Sequence, residues 1–345
     1  MLRRYFFLAL VGSTALASRT PAADVTVTKT PTALEFKVGD EVITKYQYAG
    51  TVQVEKGDGT KPLAKPYFYP LNAPGGTCAT RPWPMIRGTQ GETTDHFHQK
   101  SAWFCHGDVI PEGIDLKTKS ADKHVKGVDF WAESTGHGRI VCTTVGEPKG
   151  GQVRTQNEWL TPDGVKILDE TRTLTVSSLP VGRLIVLDID LTASVCPITF
   201  GDTKEGSMGV RVSDEFRLAK TGSDGVVTTV DGQIAKAPAK DNLPMWGQPS
   251  VWHDYSGSVG GKTVGLAIFE DPTNKYPAVW HTRAYGLMAA NPFGRAGSGF
   301  PAMKGNTDLV KLAKGQRLTL RYGLYVHTGG TTEGKVAEAF TAFKK

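Results

Sequence analysis

The sequence predicts an all-β protein: a large antiparallel β-sandwich with a short C-terminal helix. Three observations predict it. Glycine and proline are frequent, 40 and 20 of 345 residues, so turns are common and long helices disfavoured. Several segments alternate apolar and polar residues, the period of a half-buried strand. Turn signals separate them, as at Asp58-Gly59, Pro162-Asp163-Gly164, Asp224-Gly225 and Asp231-Gly232. Strands without intervening helices argue against a doubly wound sheet.

The elements follow in chain order. Arg3 and Arg4 precede an apolar run from Tyr5 to Val11, and Ala15-Leu16-Ala17 supplies a cleavage site. Residues 1–17 therefore read as a signal peptide, and 18–345 as one large β-sandwich domain of a periplasmic or secreted protein. That run is too short to span a bilayer comfortably and no later segment is long enough, so no membrane insertion is expected. Glu41 to Tyr48 alternates and is β-branched. Arg172 to Val176 is strand-like, and so is Leu184 to Leu191, which sets Ile185, Leu187, Ile189 and Leu191 against Asp188 and Asp190. Val264 to Phe269 is apolar on both faces, as in a central strand. Arg317 to His327 places Leu318, Leu320, Tyr322, Leu324 and Val326 on one face. Glu333 to Phe343 looks helical, and Ala235 to Pro244 reads as a surface loop.

The formal net charge of +6 is dispersed, and no basic block tracks a phosphate backbone, so no nucleic-acid partner is expected. Cys78, Cys105, Cys142 and Cys196 allow three complete disulfide pairings, and the sequence does not choose among these, a single bridge and free thiols. GxSxG, P-loop, HExxH and GxGxxG signatures are absent.

Three clusters carry candidate chemistry. In Asp95-His96-Phe97-His98, an extended chain would point both imidazoles the same way. His106 joins them only if the chain turns. His96, His98 and His106 are the candidate ligands if a divalent metal is used, although their spacing is no known signature. In the second cluster, Gly201 to Val212, Met208, Val210 and Val212 share an apolar face, while Glu205 and Arg211 share the opposite parity. They read either as an acid/base with its electrostatic partner or as a turn with a structural ion pair. In the third, His281, Arg283 and Tyr285 alternate along one face, with Asn291 in a tight loop beside them. Trp83, Trp103, Trp131, Trp252, Trp280, Tyr255 and Tyr285 crowd these clusters. They suit either a sugar-stacking cleft or ordinary core packing.

These residues also carry a family resemblance. Lys65-Pro66-Tyr67-Phe68-Tyr69-Pro70, Asp95-His96-Phe97-His98, Trp103, His106-Gly107-Asp108-Val109 and Gly127-Val128-Asp129-Phe130-Trp131 form its first part. Phe200 to Gly206, Trp252, Asp254-Tyr255-Ser256-Gly257, Trp280-His281, Tyr285-Gly286-Leu287 and Asn291-Pro292-Phe293-Gly294 form the rest. Over roughly residues 65–300 the chain resembles a bacterial exported family labelled methane-oxygenase PmoA-like. Where that family often continues with His and Arg after His-x-His, this chain has Gln99 and Lys100. The resemblance implies periplasmic carbohydrate metabolism and the supersandwich fold of galactose mutarotases and some polysaccharide lyases. The family label itself implies a metal-dependent oxidoreductase.

The sequence thus points to a carbohydrate-active enzyme: a glycoside hydrolase, lyase or epimerase-like catalyst. His96, His98, His106, Glu205 and His281 are its acid/base candidates. Lys204, Arg211, Arg283, Tyr285, Trp103 and Asn291 would hold the carbohydrate. A non-catalytic carbohydrate-binding or scaffold protein is the alternative, and would show aromatics on an open face and scattered histidines. Replacing His281 by Ala is expected to abolish turnover and spare the melting temperature.

Overall fold

A computed structural model describes residues 24–241 and 243–345. The expected signal peptide lies outside the described residues. Two large antiparallel sheets share one apolar core. In spatial order the eight-stranded sheet runs Val25–Lys29, Ala33–Val38, Glu41–Gln47, Tyr67–Leu71, Ala102–His106, Gly206–Arg211, Leu287–Asn291 and Val279–Trp280. The nine-stranded sheet runs Ile234–Lys236, Val226–Thr229, Trp252–Val259, Lys262–Glu270, Arg317–Thr328, Gly182–Thr192, Lys166–Leu179, Gln152–Leu160 and Arg139–Val145. A three-stranded sheet, Val310–Leu312, Ile198–Phe200 and Val109–Pro111, and a two-stranded ribbon, Thr51–Gln53 with Thr60–Pro62, complete the set.

The alternating segments become strands for the reason their pattern suggests. Leu318, Leu320, Tyr322, Leu324 and Val326 all face the core, and so do Ile185, Leu187, Ile189 and Leu191 from the neighbouring strand. Strands of the two sheets also meet through polar groups. Arg172 of the nine-stranded sheet bonds Glu170 (2.5 and 3.0 Å), the Phe104 carbonyl (3.1 Å) and the Tyr46 hydroxyl (3.3 Å). A buried ion pair is tolerable only when its hydrogen bonds are so filled.

The far face of Arg317–Thr328 is not wholly polar. Tyr325 and His327 are buried there, because the helix Val336–Phe343 lays Val336, Ala339, Phe340 and Phe343 against Leu184, Val186, Ala267 and Phe269. This helix begins three residues later than the sequence pattern suggested. Gly334 instead lies against the His327 ring, where a Cβ would come within 2.0 Å of Nδ1. The stretch 235–244, expected as loop throughout, begins in the edge strand Ile234–Lys236, which the Asp231-Gly232 turn folds back onto Val226–Thr229. All four cysteines are free thiols, with Cys105 and Cys196 buried.

Candidate functional site

The loop 201–205 enters the Gly206–Arg211 strand with its backbone pinned at four carbonyls. His106 donates Nε2–H to Gly201 O (2.9 Å), and Asn291 donates Nδ2–H to Thr203 O (2.9 Å). His281 donates Nδ1–H to Lys204 O (3.0 Å), and the Gly107 amide donates to Glu205 O (2.7 Å). Gly107 is required here: a Cβ would lie 2.8 Å from that oxygen. Asp202 accepts from the amides of Arg295 (2.7 Å) and Ser298 (2.8 Å). The clamp leaves the Lys204 and Glu205 side chains half-exposed.

This geometry relocates three candidates. His106, His281 and Asn291 are buried and serve the loop backbone. His106 is wedged against Phe200 and Phe293. Burial pushes its imidazole down to about 4 and that of His281 to about 3, so both rings are neutral at neutral pH.

The 93–99 segment is a turn and not the extended run that period-two alignment required. His96 has φ +45°, and the Gln99 amide donates to His96 O (2.9 Å). The His96 and His98 rings still meet edge to face, 5.8 Å apart. Charge holds this turn. Arg81 and Arg211, both fully buried, converge on Asp95, with Arg211 Nη2 at 3.1 Å from Oδ1. Arg211 Nη1 also donates to Gln99 Oε1 (2.8 Å), and Arg81 Nη2 donates to Asp95 O (3.0 Å). Arg211 was expected beside Glu205; its guanidinium instead pairs with Asp95 and approaches Asp214 (3.7 Å). Against burial, the bond to His96 and the charges of Arg211 and Arg81 hold the Asp95 carboxyl far below its usual range.

Asp95 was missed as a site residue, although it stands inside the quoted motif. Its Oδ2 lies 3.1 Å from His96 Nδ1, and Nε2 of the half-exposed ring has no partner among the described residues. The ring stacks on Tyr285 (4.9 Å, 7°). The Arg211 guanidinium lies 4.7 Å from the Tyr285 centroid and that of Arg283 lies 5.5 Å away. Burial pushes the Tyr285 hydroxyl up to about 12.

His281, Arg283 and Tyr285 do not form one strand face. They lie on the connection between Val279–Trp280 and Leu287–Asn291, where Gly286 turns at φ +101°. They gather all the same. Arg283 donates to Asp241 (2.6 Å), and its Nη1 lies 3.4 Å from His281 Nε2. Enclosure raises the Glu205 carboxyl, opposed by the charges of Lys204, His96 and Arg283. Glu205, Lys204, His96, Arg283 and Tyr285 therefore share one electrostatic neighbourhood.

Of this group His96 lines a hollow of about 340 Å³, together with Glu55, Phe97, His98, Ala132, Glu133 and Ser134. Burial and the charge of Lys65 hold His98 well below the usual imidazole range. Among the described residues no three His, Cys, Asp or Glu side chains gather as a metal ion requires. His96, His98 and His106 are not gathered into such a group, so they do not make a ligand set. Of the aromatics, Trp83, Trp103, Trp131, Trp252, Trp280 and Tyr255 are buried. Trp103 packs on Trp131 (5.0 Å) as core and not as an open stacking platform.

Residues 33–341 match a family of unknown function (DUF6807). No curated protein is a significant match. Among solved structures the chain is similar to a GH36 α-galactosidase, AgaA, from Geobacillus stearothermophilus, in complex with 1-deoxygalactonojirimycin. There the TM-score is 0.38 and the identity 10%, over 90% of this chain and 41% of that one. It is similar to the galactosidase domain of an α-galactosidase-sucrose kinase, AgaSK, with TM-score 0.43 and 11% identity over 88% and 42%. A putative aldose 1-epimerase from Escherichia coli K12 gives TM-score 0.35 and 10% identity over 88% and 99%. The chain spans about two fifths of the two galactosidase chains.

Proposed function

The chain belongs to the DUF6807 family, and we propose that it is an exported enzyme that moves protons on a carbohydrate, with Glu205 and His96 as its acid and base. One observation carries this reading. Two half-exposed titratable side chains, each fixed from behind, stand within electrostatic reach of one another, and one of them, His96, lines a hollow. A pair of positioned proton carriers is what hydrolysis, elimination or epimerisation at a sugar requires.

The roles follow from the bonds. With Asp95 beside Nδ1, Nε2 is the nitrogen of His96 assigned to take a proton from the substrate. Glu205, whose carboxyl keeps its proton to higher pH than usual, supplies one. Lys204 and Arg283 steady hydroxyls or developing negative charge nearby. Export rests on the Arg3-Arg4 and Ala15-Leu16-Ala17 segment. The burial of the tryptophans favours a catalyst over an open-faced binding module. Among the described residues, the exposed large apolar side chains are Ile86, Val165, Val230 and Ile234, none of them aromatic.

The test is a screen of purified protein against oligosaccharides and keto-sugars, followed by Glu205→Gln on the best substrate. Turnover is expected to fall by roughly 10²–10⁴-fold with the melting temperature little changed. Undiminished turnover in that variant would remove Glu205 from the chemistry.

A further inference from the structure

Phe97 lines two hollows, and their charges differ. The one beside His96 carries the carboxylates Glu55 and Glu133. The other, about 310 Å³, is lined by Lys100, Arg87, Tyr67, Phe97, Gln53 and Met85 among others, and no carboxylate lines it. Lys100 belongs to a crowded cationic group. Its Nζ lies 2.6 Å from Glu133, with Lys65 at 3.2 Å and Lys61 at 3.3 Å from the same carboxylate. Lys65 and Lys100 are each 1% exposed, so this is no solvated surface patch.

Three ammonium groups share one carboxylate there. Other partners make up only part of the difference. Lys65 donates to the Trp131 carbonyl (2.8 Å), while Lys100 and Lys61 lie 4.5 and 5.0 Å from the centre of the Phe97 ring. Burying cations without matching anions is costly. The cost is visible at Lys100, which burial and the neighbouring lysines push down to about 8 despite Glu133. Arg87 adds a further positive charge with no ion pair among the described residues; its guanidinium lies over Trp83 and donates to the Val54 carbonyl.

We infer that this second hollow is a subsite for an anionic sugar unit, carrying a carboxylate or a sulfate, next to the unit held at His96 and Glu205. Tyr67 and Phe97, both largely buried, contribute apolar wall; Arg87 offers a partly exposed counter-charge, and the buried Lys100 adds positive field. The inference rests on the sugar-directed reading above and supplies its substrate class.

Calorimetric titration of the Glu205→Gln protein, which reads binding without turnover, tests it. The probes are a galacturonic-acid trisaccharide, a sulfated galactose trisaccharide and the neutral galactose trisaccharide. At least one charged probe should bind about tenfold or more tighter than the neutral one, an advantage that shrinks as salt rises. The stronger charged probe identifies the anion. Arg87→Met, at a partly exposed position, and Lys100→Met should each erase most of that preference. If Lys100→Met does not fold, Arg87→Met decides alone. Equal binding of all three probes, binding of none, or a preference untouched by the substitution overturns the inference. A charged preference in a protein that turns over no sugar would end the catalytic reading and leave the subsite standing. Turnover without charge preference would do the reverse.

Discussion

The two walls of the site are held by opposite means. The loop 201–205 is clamped by neutral donors: the rings of His106 and His281, the Asn291 amide and the Gly107 backbone. The 93–99 turn is clamped by charge, with Arg81 and Arg211 closing on Asp95. Each clamp ends in one half-exposed group, Glu205 on the first and His96 on the second. The difference shows how one residue type takes two roles. A buried histidine serves a backbone carbonyl as a neutral ring, because burial disfavours its charged form. A histidine at the rim, backed by a carboxylate, keeps one nitrogen free for chemistry.

Breaking the charged clamp should have the largest effect. Asp95→Asn leaves two buried guanidiniums without their shared carboxylate and weakens the acceptor for His96 Nδ1. Stability is expected to fall by about 1–3 kcal/mol in urea titrations, with turnover falling alongside it. Unchanged stability would mean that shape and not charge holds the turn.

The neutral clamp is probed next by His281→Ala. Sequence alone suggested loss of turnover at an unaltered melting temperature. With His281 buried and bonded to Lys204 O, the substitution is expected to cost about 1–3 kcal/mol as well. His281→Asn, whose Nδ2 can replace the Nδ1 donor, should recover much of both losses. Equal damage from Asn and Ala would show that the ring, and not the hydrogen bond, matters.

Acid should separate the clamps further. The folded imidazoles of His106 and His281 lie at about 4 and about 3, against 6.5 for a free histidine. The unfolded chain therefore takes up protons first. Their contribution is fully present above the unfolded value and is lost as pH falls from about 6.5 toward about 4 for His106 and about 3 for His281. Denaturant titrations at pH 7 and pH 5 should show this loss, and His281→Asn should lessen it. The smallest effect is expected from Tyr285→Phe, which keeps the ring against His96 and should leave the melting temperature nearly unchanged. Turnover should barely move; a collapse would make the phenol a proton carrier.

The sheets were readable from local pattern. Leu318 to Val326 and Ile185 to Leu191 carry a period that leaves one inward face, and the turn residues between segments mark the reversals. The arrangement inside the site was not. His96 and His98 looked like neighbours on a strand, yet bonds from Arg81 and Arg211, 15 and 115 residues from His96 in the chain, bend that segment into a turn. Asp95 carried a signal, its place in the motif beside His96. The lysines on Glu133 carried none, because nothing local ties Lys61, Lys65 and Lys100 to a residue so far along the chain.

By itself, then, the sequence determined the class of secondary structure, the inward faces of its long strands and the stretches that hold ionisable side chains. These depend on residue spacing and on where water is excluded from a strand. Only the tertiary structure decided which histidines face solvent, which serve carbonyls, and which carboxylate orients His96. Those outcomes depend on burial and on hydrogen-bond partners brought together across the sheets, and spacing along one chain does not encode them.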